Sequence, residues 1–263
     1  LVRNDVVKLV TLTGSTRAGL EVFRAAADHC VAVRLELGGK APFIVMEDTD
    51  IDRAVKAAVI AKFNNCGQIC TCNERMYIHE SIYEKFVAGL IEKTSELVVG
   101  DPLNPDTFIG PKVNKAEVEK INQLVQKSVE QGGKVLLDMT PEMKPTQNGN
   151  WMYPVIIEVP NNDNILMHDE IFGPVLPVMK VRDFNQALEF ANDSEYGLSA
   201  YLFTNNVKNI MRAVNELEFG EVYVNRENGE MINAFHNGYK LSGIGGEDGK
   251  HGLEGYLQKK QYI

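Results

Sequence analysis

Two short segments of the chain contain a carboxylate and a thiol that could act together. Glu36 lies at the end of the apolar run 31–37, where a strand would fix it, and the two glycines that follow would let the backbone turn sharply. Cys70 follows a helical pattern and stands on a turn that contains Gly67. A thiolate attacks carbonyl carbon well, and burial moves the pKa of a carboxylate toward the range of a general base. The two segments predict acyl transfer, with Cys70 as nucleophile and Glu36 as base.

Three of the four cysteines, Cys66, Cys70 and Cys72, lie within a stretch of seven residues. This spacing is too close for a disulfide framework and indicates a reducing, cytoplasmic setting. Zinc binding by the three sulfurs is the alternative, but structural zinc needs four ligands and the nearest histidine is His79. We therefore expect no metal site, and we interpret Cys66 and Cys72 as packing or accessory thiols.

Composition and charge restrict the class of protein. The 263 residues are 44% apolar and carry a net charge of −9, which is typical of one or two soluble globular domains. The acidic balance argues against nucleic-acid binding, because no basic run is interleaved with aromatic residues. The longest apolar stretches, such as 54–61, fall well short of the roughly 20 residues that span a bilayer. We expect no membrane segment and no nucleic-acid partner.

The elements that must position Glu36 and Cys70 follow an alternating pattern of strands and helices. Predicted strands are 6–12, 31–37, 43–46, 75–79, 134–137, 153–159, 175–181, 199–203 and 221–224. Predicted helices are 20–30, a helix that Asp50 caps, 81–99, 115–131, 183–191 and 207–217. A polar, proline-containing stretch at 140–149 is predicted as a surface loop. Such alternation is typical of an α/β protein with a parallel sheet.

Several motifs resemble those of the NAD(P)-dependent aldehyde dehydrogenase superfamily, in the order that this family shows. The matching segments are 13–19 (Thr-Gly-Ser-Thr-Arg-Ala-Gly), 35–40 (Leu-Glu-Leu-Gly-Gly-Lys), 63–70 (Phe-Asn-Asn-Cys-Gly-Gln-Ile-Cys), 170–175 (Glu-Ile-Phe-Gly-Pro-Val) and 242–246 (Ser-Gly-Ile-Gly-Gly). Within the superfamily, residues 225–253 look most like lactaldehyde and glycolaldehyde dehydrogenases. The resemblance implies an aldehyde dehydrogenase-like α/β fold, with a parallel-sheet catalytic domain and a remnant of the Rossmann-like cofactor domain.

The resemblance also implies a reaction and a cofactor. Cys70 would form a thiohemiacetal and then a thioester, Glu36 would activate water, and NAD or NADP would accept the hydride. The implied cofactor-binding residues are Gly14, Ser15, Gly19, Leu37, Gly38, Glu170 and Phe172. The residues alone leave alternatives open. The glycine turn at 14–19 is about as consistent with a structural turn as with a cofactor site. Glu170 and Phe172 could instead belong to a rigid loop closed by Gly173 and Pro174.

The substrate end of the site is predicted from a region without clear periodicity. Glu230 and His236 lie there, and their polar side chains could bind the hydroxyl of a short hydroxyaldehyde such as lactaldehyde. A solvated surface histidine is the alternative for His236. A semialdehyde dehydrogenase is the nearest rival enzyme, because Arg226 could face a distal carboxylate. A noncatalytic structural fragment of such an enzyme is the third interpretation.

Domain boundaries follow from the resemblance and not from composition. It implies a C-terminal remnant of the NAD(P)-binding domain at 1–37, a catalytic domain at 38–240 and a return or oligomerisation segment at 241–263. Family members begin well before Leu1, with cofactor-binding strands and an oxyanion-hole asparagine. We therefore expect a fragment that lacks the N-terminal part and has impaired activity alone. In the full-length enzyme we expect a homodimer or homotetramer that binds a small aldehyde.

Overall fold

The computed structural model describes residues 1–141, 149–229 and 231–263. The strands are β1 (Leu9–Thr13), β2 (Ala32–Glu36), β3 (Ala41–Val45), β4 (Asn73–His79), β5 (Lys134–Asp138), β6 (Val155–Glu158), β7 (Val175–Val181), β8 (Tyr196–Gly197), β9 (Ser199–Phe203), β10 (Glu221–Val224), β11 (Tyr239–Lys240) and β12 (Gly243–Ile244). The helices are α1 (Thr16–Ala27), α2 (Ile51–Phe63), α3 (Tyr83–Ser95), α4 (Lys115–Glu130), α5 (Ile165–His168), α6 (Phe184–Asn192), α7 (Val207–Glu216) and α8 (Gly249–Glu254). The predicted loop at 140–149 falls mostly on 142–148, outside the described residues.

Two larger sheets and one antiparallel two-stranded sheet, β8-β11, organise these elements. The larger has seven strands in the order β10-β9-β3-β4-β7-β6-β5, all parallel except β5, which runs antiparallel to β6. The smaller has the order β1-β2-β12, with β1 and β2 parallel and β12 antiparallel. The predicted α/β fold with a parallel-sheet core is confirmed. The directions of β5 and β12 were not predicted, because an apolar run carries no information about strand direction.

Helix boundaries follow the capping residues more closely than the apolar period. Helix α1 begins at Thr16, four residues before the predicted start, because the Ser15 side chain accepts a hydrogen bond from the backbone of Ala18 at 3.3 Å. The predicted Asp50 cap is confirmed, with a bond of 3.1 Å from the Arg53 amide. Helix α3 is shorter than predicted. Among the described residues, no helix is long and apolar enough to cross a membrane.

The core lies where aromatic side chains of β3 and β9 stack. Phe43 is fully buried, and its ring lies 5.3 Å from that of Tyr201 and 5.0 Å from that of Phe203. Helix α2 covers this region with small residues, among them Ala54 and Ala58, which let the helix approach the sheet closely. The central strand that follows the Glu36 turn is therefore fixed by packing.

Replacing Phe43 by alanine should lower the free energy of unfolding by about 3–5 kcal/mol, because it removes a buried ring and leaves a cavity. Phe23→Ala is the control, since that ring is 44% exposed on α1. Urea denaturation followed by circular dichroism measures both. Equal effects of the two substitutions would contradict the assignment of Phe43 to the core.

Candidate active site

The turn after β2 joins the two segments that carry the predicted base and nucleophile. Glu36 is the last residue of β2, and the chain passes from there into β3 through Gly38 and Gly39. A Cβ atom on Gly39 would overlap the backbone carbonyl oxygen of Cys70, so a side chain is excluded there. The backbone that follows the carboxylate therefore packs directly on the backbone of the thiol residue. Cys70 itself is partly exposed.

The loop that leads to Cys70 begins with three left-handed residues. After α2, the angle φ is 49° at Asn65, 58° at Cys66 and 69° at Gly67. A residue with a side chain adopts this conformation at a cost of about 1–2 kcal/mol, so surrounding contacts must hold the turn. One such contact is close approach, since a Cβ on Gly67 would overlap the carbonyl oxygen of Gly173. The turn at 65–67, which leads to Cys70, is thus packed against the loop before β7.

The other cysteines have different surroundings. Burial raises the pKa of Cys66 to about 11 and that of Cys72 to about 12, so both are protonated thiols at neutral pH. Cys30 is exposed and follows α1, remote in sequence from the loop. Within residues 1–141, 149–229 and 231–263, no group of three or more His, Cys, Asp or Glu side chains is arranged to hold a metal ion.

Glu36 is buried beside His236, but its carboxylate accepts no hydrogen bond from the described residues. Its side chain is 8% exposed, and Oε2 lies 3.1 Å from Nε2 of His236. In the part of the chain that the structure describes, no group donates a hydrogen bond to Oε2 or to Oε1. Such an oxygen is uncommon in a protein interior, because nothing offsets the loss of its hydration. An open, buried carboxylate oxygen is what a base needs in order to accept a proton from a bound water.

His236 lies between two carboxylates. Its Nδ1 is 3.0 Å from Oε1 of Glu221, and the other oxygen of Glu221 accepts a bond of 2.7 Å from the hydroxyl of Tyr223. The hydrogen bond to Glu221, and then the neighbouring carboxylate of Glu36, raise the pKa of His236 to about 10, so the ring is an imidazolium at neutral pH. The sequence predicted His236 but not Glu221, because a glutamate at the start of an edge strand resembles an ordinary surface residue.

The segment after β10 contains the remaining predicted substrate residues. Glu230 lies outside the described residues. Arg226 donates to the backbone oxygens of Glu227 at 3.2 Å and Gly229 at 3.0 Å, and its guanidinium lies 5.8 Å from the centre of the Tyr223 ring. The Arg226 side chain is therefore bound within its own loop.

The predicted cofactor residues converge on the end of β2. The amide of Gly14 donates to the carbonyl of Glu36 at 2.9 Å, and Ser15 caps α1 next to it. A Cβ on Gly19 would overlap the side chain of Leu37, so α1 lies tightly against the strand end. The structure thus brings the glycine turn and residues 36–37 into one region.

Glu170 reaches the same turn from the other side. Its Oε1 accepts a hydrogen bond of 2.9 Å from the amide of Gly39, and a Cβ on Gly38 would crowd its carboxylate. Burial raises the pKa of Glu170. The predicted residues Gly38 and Glu170 are therefore neighbours, although 131 residues separate Gly39 from Glu170 in the chain.

A fully buried ion-pair network fixes the loop that carries Glu170. Glu74 accepts hydrogen bonds from the ammonium groups of Lys40 at 3.0 Å and Lys62 at 2.9 Å. It also accepts from the amides of Ile171 at 2.7 Å and Phe172 at 3.3 Å. Burial acts to raise the pKa of Glu74, but the two lysines outweigh it and lower the value to about 2. This network was not predicted, since each residue fits an ordinary amphipathic pattern.

Phe172 is held on both sides of its peptide. Its amide donates to Glu74, and its carbonyl oxygen accepts a hydrogen bond from Nζ of Lys112. The residue has φ of 53°, and the Lys112 ammonium also lies 5.4 Å from the centre of its ring. Burial lowers the pKa of Lys112 to about 8. The left-handed conformation of Phe172 is therefore maintained by charged partners on separate elements.

Comparison with known proteins identifies the family. A model described as "Aldehyde dehydrogenase family" matches residues 1–262. The chain belongs to the aldehyde dehydrogenase family. Over the whole chain it is 47% identical to 3,6-anhydro-alpha-L-galactose dehydrogenase of Vibrio sp. (strain EJY3), covering 55% of that protein. It is 43% identical to lactaldehyde dehydrogenase of Escherichia coli (strain K12), with 98% of the chain matched to 53% of that protein. The chain spans about half the length of the curated relatives it matches.

Solved structures agree with this assignment. A structure of 3,6-anhydro-L-galactose dehydrogenase in complex with NAP has a TM-score of 0.96 and 48% identity, covering 99% of the chain and 55% of its own. Lactaldehyde dehydrogenase from Escherichia coli has a TM-score of 0.94 and 43% identity, covering 98% of the chain and 54% of its own. The predicted resemblance to aldehyde dehydrogenases, including lactaldehyde dehydrogenase, is confirmed.

Replacing Glu74 by glutamine in this aldehyde dehydrogenase family member should lower the free energy of unfolding by about 3–5 kcal/mol at pH 7, because two buried lysines lose their counter-charge. Since the pKa of Glu74 is lowered from 4.5 to about 2, its contribution is present above pH 4.5 and is lost as the pH falls toward 2. The difference between parent and variant, measured by urea denaturation, should shrink over that range.

Glu84→Gln is the matched control for the Glu74 substitution. Glu84 pairs with Lys180 at 2.9 Å, but its side chain is 83% exposed. It should therefore change the unfolding midpoint little at any pH. A Glu74 variant that behaves like the Glu84 variant would contradict the role of the buried network.

Proposed function

We propose that the chain carries the nucleophile and base of an NAD(P)-dependent aldehyde dehydrogenase that oxidises a short hydroxyaldehyde, such as lactaldehyde, to its carboxylic acid. One observation carries the proposal: buried Glu36, whose carboxylate accepts no hydrogen bond from the described residues, is joined through the Gly39 turn to the backbone of the partly exposed Cys70. Membership of the aldehyde dehydrogenase family supports it. The proposed activity is that of a whole enzyme. This chain spans about half the length of its relatives.

The chemistry at Cys70 and Glu36 has two stages. Sγ of Cys70 forms a bond to the aldehyde carbon, and the carbonyl oxygen takes up a proton to give a thiohemiacetal. A nicotinamide cofactor, when bound, would accept the hydride that leaves this carbon; the hydroxyl proton is released to solvent, and a thioester remains on Cys70. Oε1 of Glu36 then takes a proton from water while the water oxygen attacks the thioester carbon. The C–S bond breaks, the acid departs, and Cys70 returns to the thiolate.

The residues around the end of β2 fit a nicotinamide cofactor. The exposed N-terminus of α1 presents backbone amides after a glycine turn, which is a favourable site for phosphate. Glu170, next to Gly38, could accept a hydrogen bond from a hydroxyl of the ribose, and Phe172 would lie beside the nicotinamide ring. We propose Gly14, Ser15, Gly19 and Leu37 as the remaining contacts. The similar structure in complex with NAP supports this assignment, as does betaine aldehyde dehydrogenase from Staphylococcus aureus in complex with NAD+.

The charges around His236 favour a neutral hydroxyaldehyde over a semialdehyde with a distal carboxylate. Two carboxylates surround one imidazolium, so no positive charge is left over for an anionic substrate. Arg226 is bound to its own loop. Relatives named for lactaldehyde and D-glyceraldehyde are 43% and 41% identical, against 39% for a succinate-semialdehyde dehydrogenase of Arabidopsis thaliana. We propose His236 as a contact for the substrate hydroxyl; Glu230 stays a prediction.

The organisation of the whole enzyme is also a proposal. We propose that 1–37 belong to the cofactor domain, 38–240 to the catalytic domain and 241–263 to a return segment. The separate sheet of β1, β2 and β12 supports the first division, and the pairing of β12 with β2 links the last segment back to the first. Homodimer or homotetramer formation stays a prediction.

Iodoacetamide should label Cys70 much faster than Cys66 or Cys72 at pH 7, because burial raises the pKa of the latter two thiols to about 11 and 12. The labelled residues are located by peptide mass, in a Cys30→Ser background that removes the exposed thiol. Hydrolysis of p-nitrophenyl acetate should be lost in Cys70→Ser and kept in Cys72→Ser.

Addition of NAD tests whether the cofactor site is present together with the reactive thiol. A change in the labelling rate at Cys70 with NAD indicates that thiol and cofactor sites are assembled in this chain. Labelling of Cys66, Cys70 and Cys72 at equal rates, or ester hydrolysis that survives Cys70→Ser, would favour the structural interpretation of the thiol loop.

A further inference from the structure

We propose that Glu221 is a positioning residue of the site: with Tyr223, it holds the His236 imidazolium so that Nε2 stays within ion-pair distance of Glu36 and keeps that carboxylate in place. The inference rests on the proposed function, in which Glu36 is the base. Glu221 touches neither the thiol nor the base, and it acts through the imidazole alone.

Both ring nitrogens of His236 are used by carboxylates. Nε2 lies 3.1 Å from Oε2 of Glu36, and Nδ1 lies 3.0 Å from Oε1 of Glu221. The side chains are only 11%, 8% and 14% exposed for His236, Glu36 and Glu221. The hydroxyl of Tyr223 donates to the remaining oxygen of Glu221 at 2.7 Å. The four groups therefore form a chain of contacts from β10 to β2, with the imidazole in the middle.

The backbone fixes where His236 lies but not how its ring is turned. The amide of His236 donates to the carbonyl of Glu247 at 3.1 Å, and the amide of Glu247 donates back at 2.7 Å. The carboxylate of Glu247 lies 3.4 Å from Nε of Arg34, which is two residues before Glu36 on β2. These contacts tie the His236 backbone to β2. The orientation of the ring is left to its two side-chain partners, and Glu221 is the partner that performs no chemistry.

The charge on the imidazole depends on the same pair. The titratable groups that face it are Glu36 from β2 and Glu221 from β10, with Tyr223 behind Glu221. The nearby Arg34 and Glu247 form an ion pair with each other at 3.4 Å. The hydrogen bond to Glu221 first, and then the neighbouring carboxylate of Glu36, raise the pKa of His236 to about 10. Without Glu221 the ring would lose its proton at a lower pH, and Glu36 would lose its charged partner.

Glutamine at position 221 separates orientation from charge. Its amide oxygen can still accept from Nδ1–H, so the ring can keep its direction, but the negative charge is gone. Glu218→Gln is the matched control: it removes a carboxylate three residues earlier whose partner is Lys240 at 2.6 Å and whose side chain is 58% exposed. Tyr223→Phe is a milder variant that removes only the hydroxyl behind Glu221.

The test is an NMR titration of the full chain labelled with 15N-histidine, in which the His236 signals are identified by their loss in His236→Asn. In the parent chain the ring should stay protonated through pH 9. In Glu221→Gln its proton affinity should fall at least tenfold, in Tyr223→Phe by less, and in Glu218→Gln not measurably. A Glu221→Gln titration equal to that of Glu218→Gln overturns the proposal. If Glu221→Gln does not fold, Tyr223→Phe decides in its place.

Hydrolysis of the acyl group from Cys70 is the second readout, measured as the steady-state rate with p-nitrophenyl acetate against pH. Glu221→Gln should lower this rate at pH values above the reduced pKa of His236 and leave it near the parent rate below that pKa. A purely structural substitution would lower the rate at every pH, and that result, or an unchanged profile, overturns the positioning role. If ester hydrolysis survives Cys70→Ser, the proposed function fails, and the NMR titration alone decides whether Glu221 holds His236.

Discussion

The arrangement of the site depends on one buried carboxylate. Glu74 lies four residues after Cys70 and accepts hydrogen bonds from Lys40 after the Glu36 turn, from Lys62 at the end of α2, and from the amides of 171–172. Ions buried away from water are costly unless they are paired, so these partners cannot separate without a large loss of free energy. The segments that carry the proposed base, the proposed nucleophile and the proposed cofactor contacts are therefore joined through a single side chain.

Two glycines determine how closely these loops can approach one another. Gly39 lets the backbone after β2 contact the carbonyl of Cys70, and Gly67 lets the thiol turn contact Gly173. At both positions a Cβ atom would occupy the place of a backbone oxygen. Electrostatic attraction at Glu74 draws the loops together, and the missing side chains set how close they come. Neither effect alone would define the position of Cys70.

Local patterns predicted most of the fold, because apolar periodicity and capping residues act over a few positions. The strands at 175–181, 199–203 and 221–224 have the predicted bounds, and Asp50 caps α2 as expected. The motifs that resemble aldehyde dehydrogenases led to the family and to the residues at the end of β2. What could not be predicted depends on contacts between distant segments. Lys62 looks like a favourable charge at a helix end, and Glu221 like the polar start of an edge strand, until the fold sets each against its partner.

The pairing of His236 has a consequence for any molecule that enters the site. Both ring nitrogens already lie beside carboxylates, Nδ1 at 3.0 Å from Glu221 and Nε2 at 3.1 Å from Glu36, so the protein's own side chains occupy the space around the ring. A ligand oxygen that is to accept from Nε2–H has to displace Glu36 from it. Uptake of such a ligand and release of the carboxylate are then one exchange, and the affinity that is measured is the difference between two similar contacts. Selectivity in such an exchange comes from how well a ligand competes with the Glu36 side chain. A molecule without a suitable oxygen leaves Glu36 paired with His236.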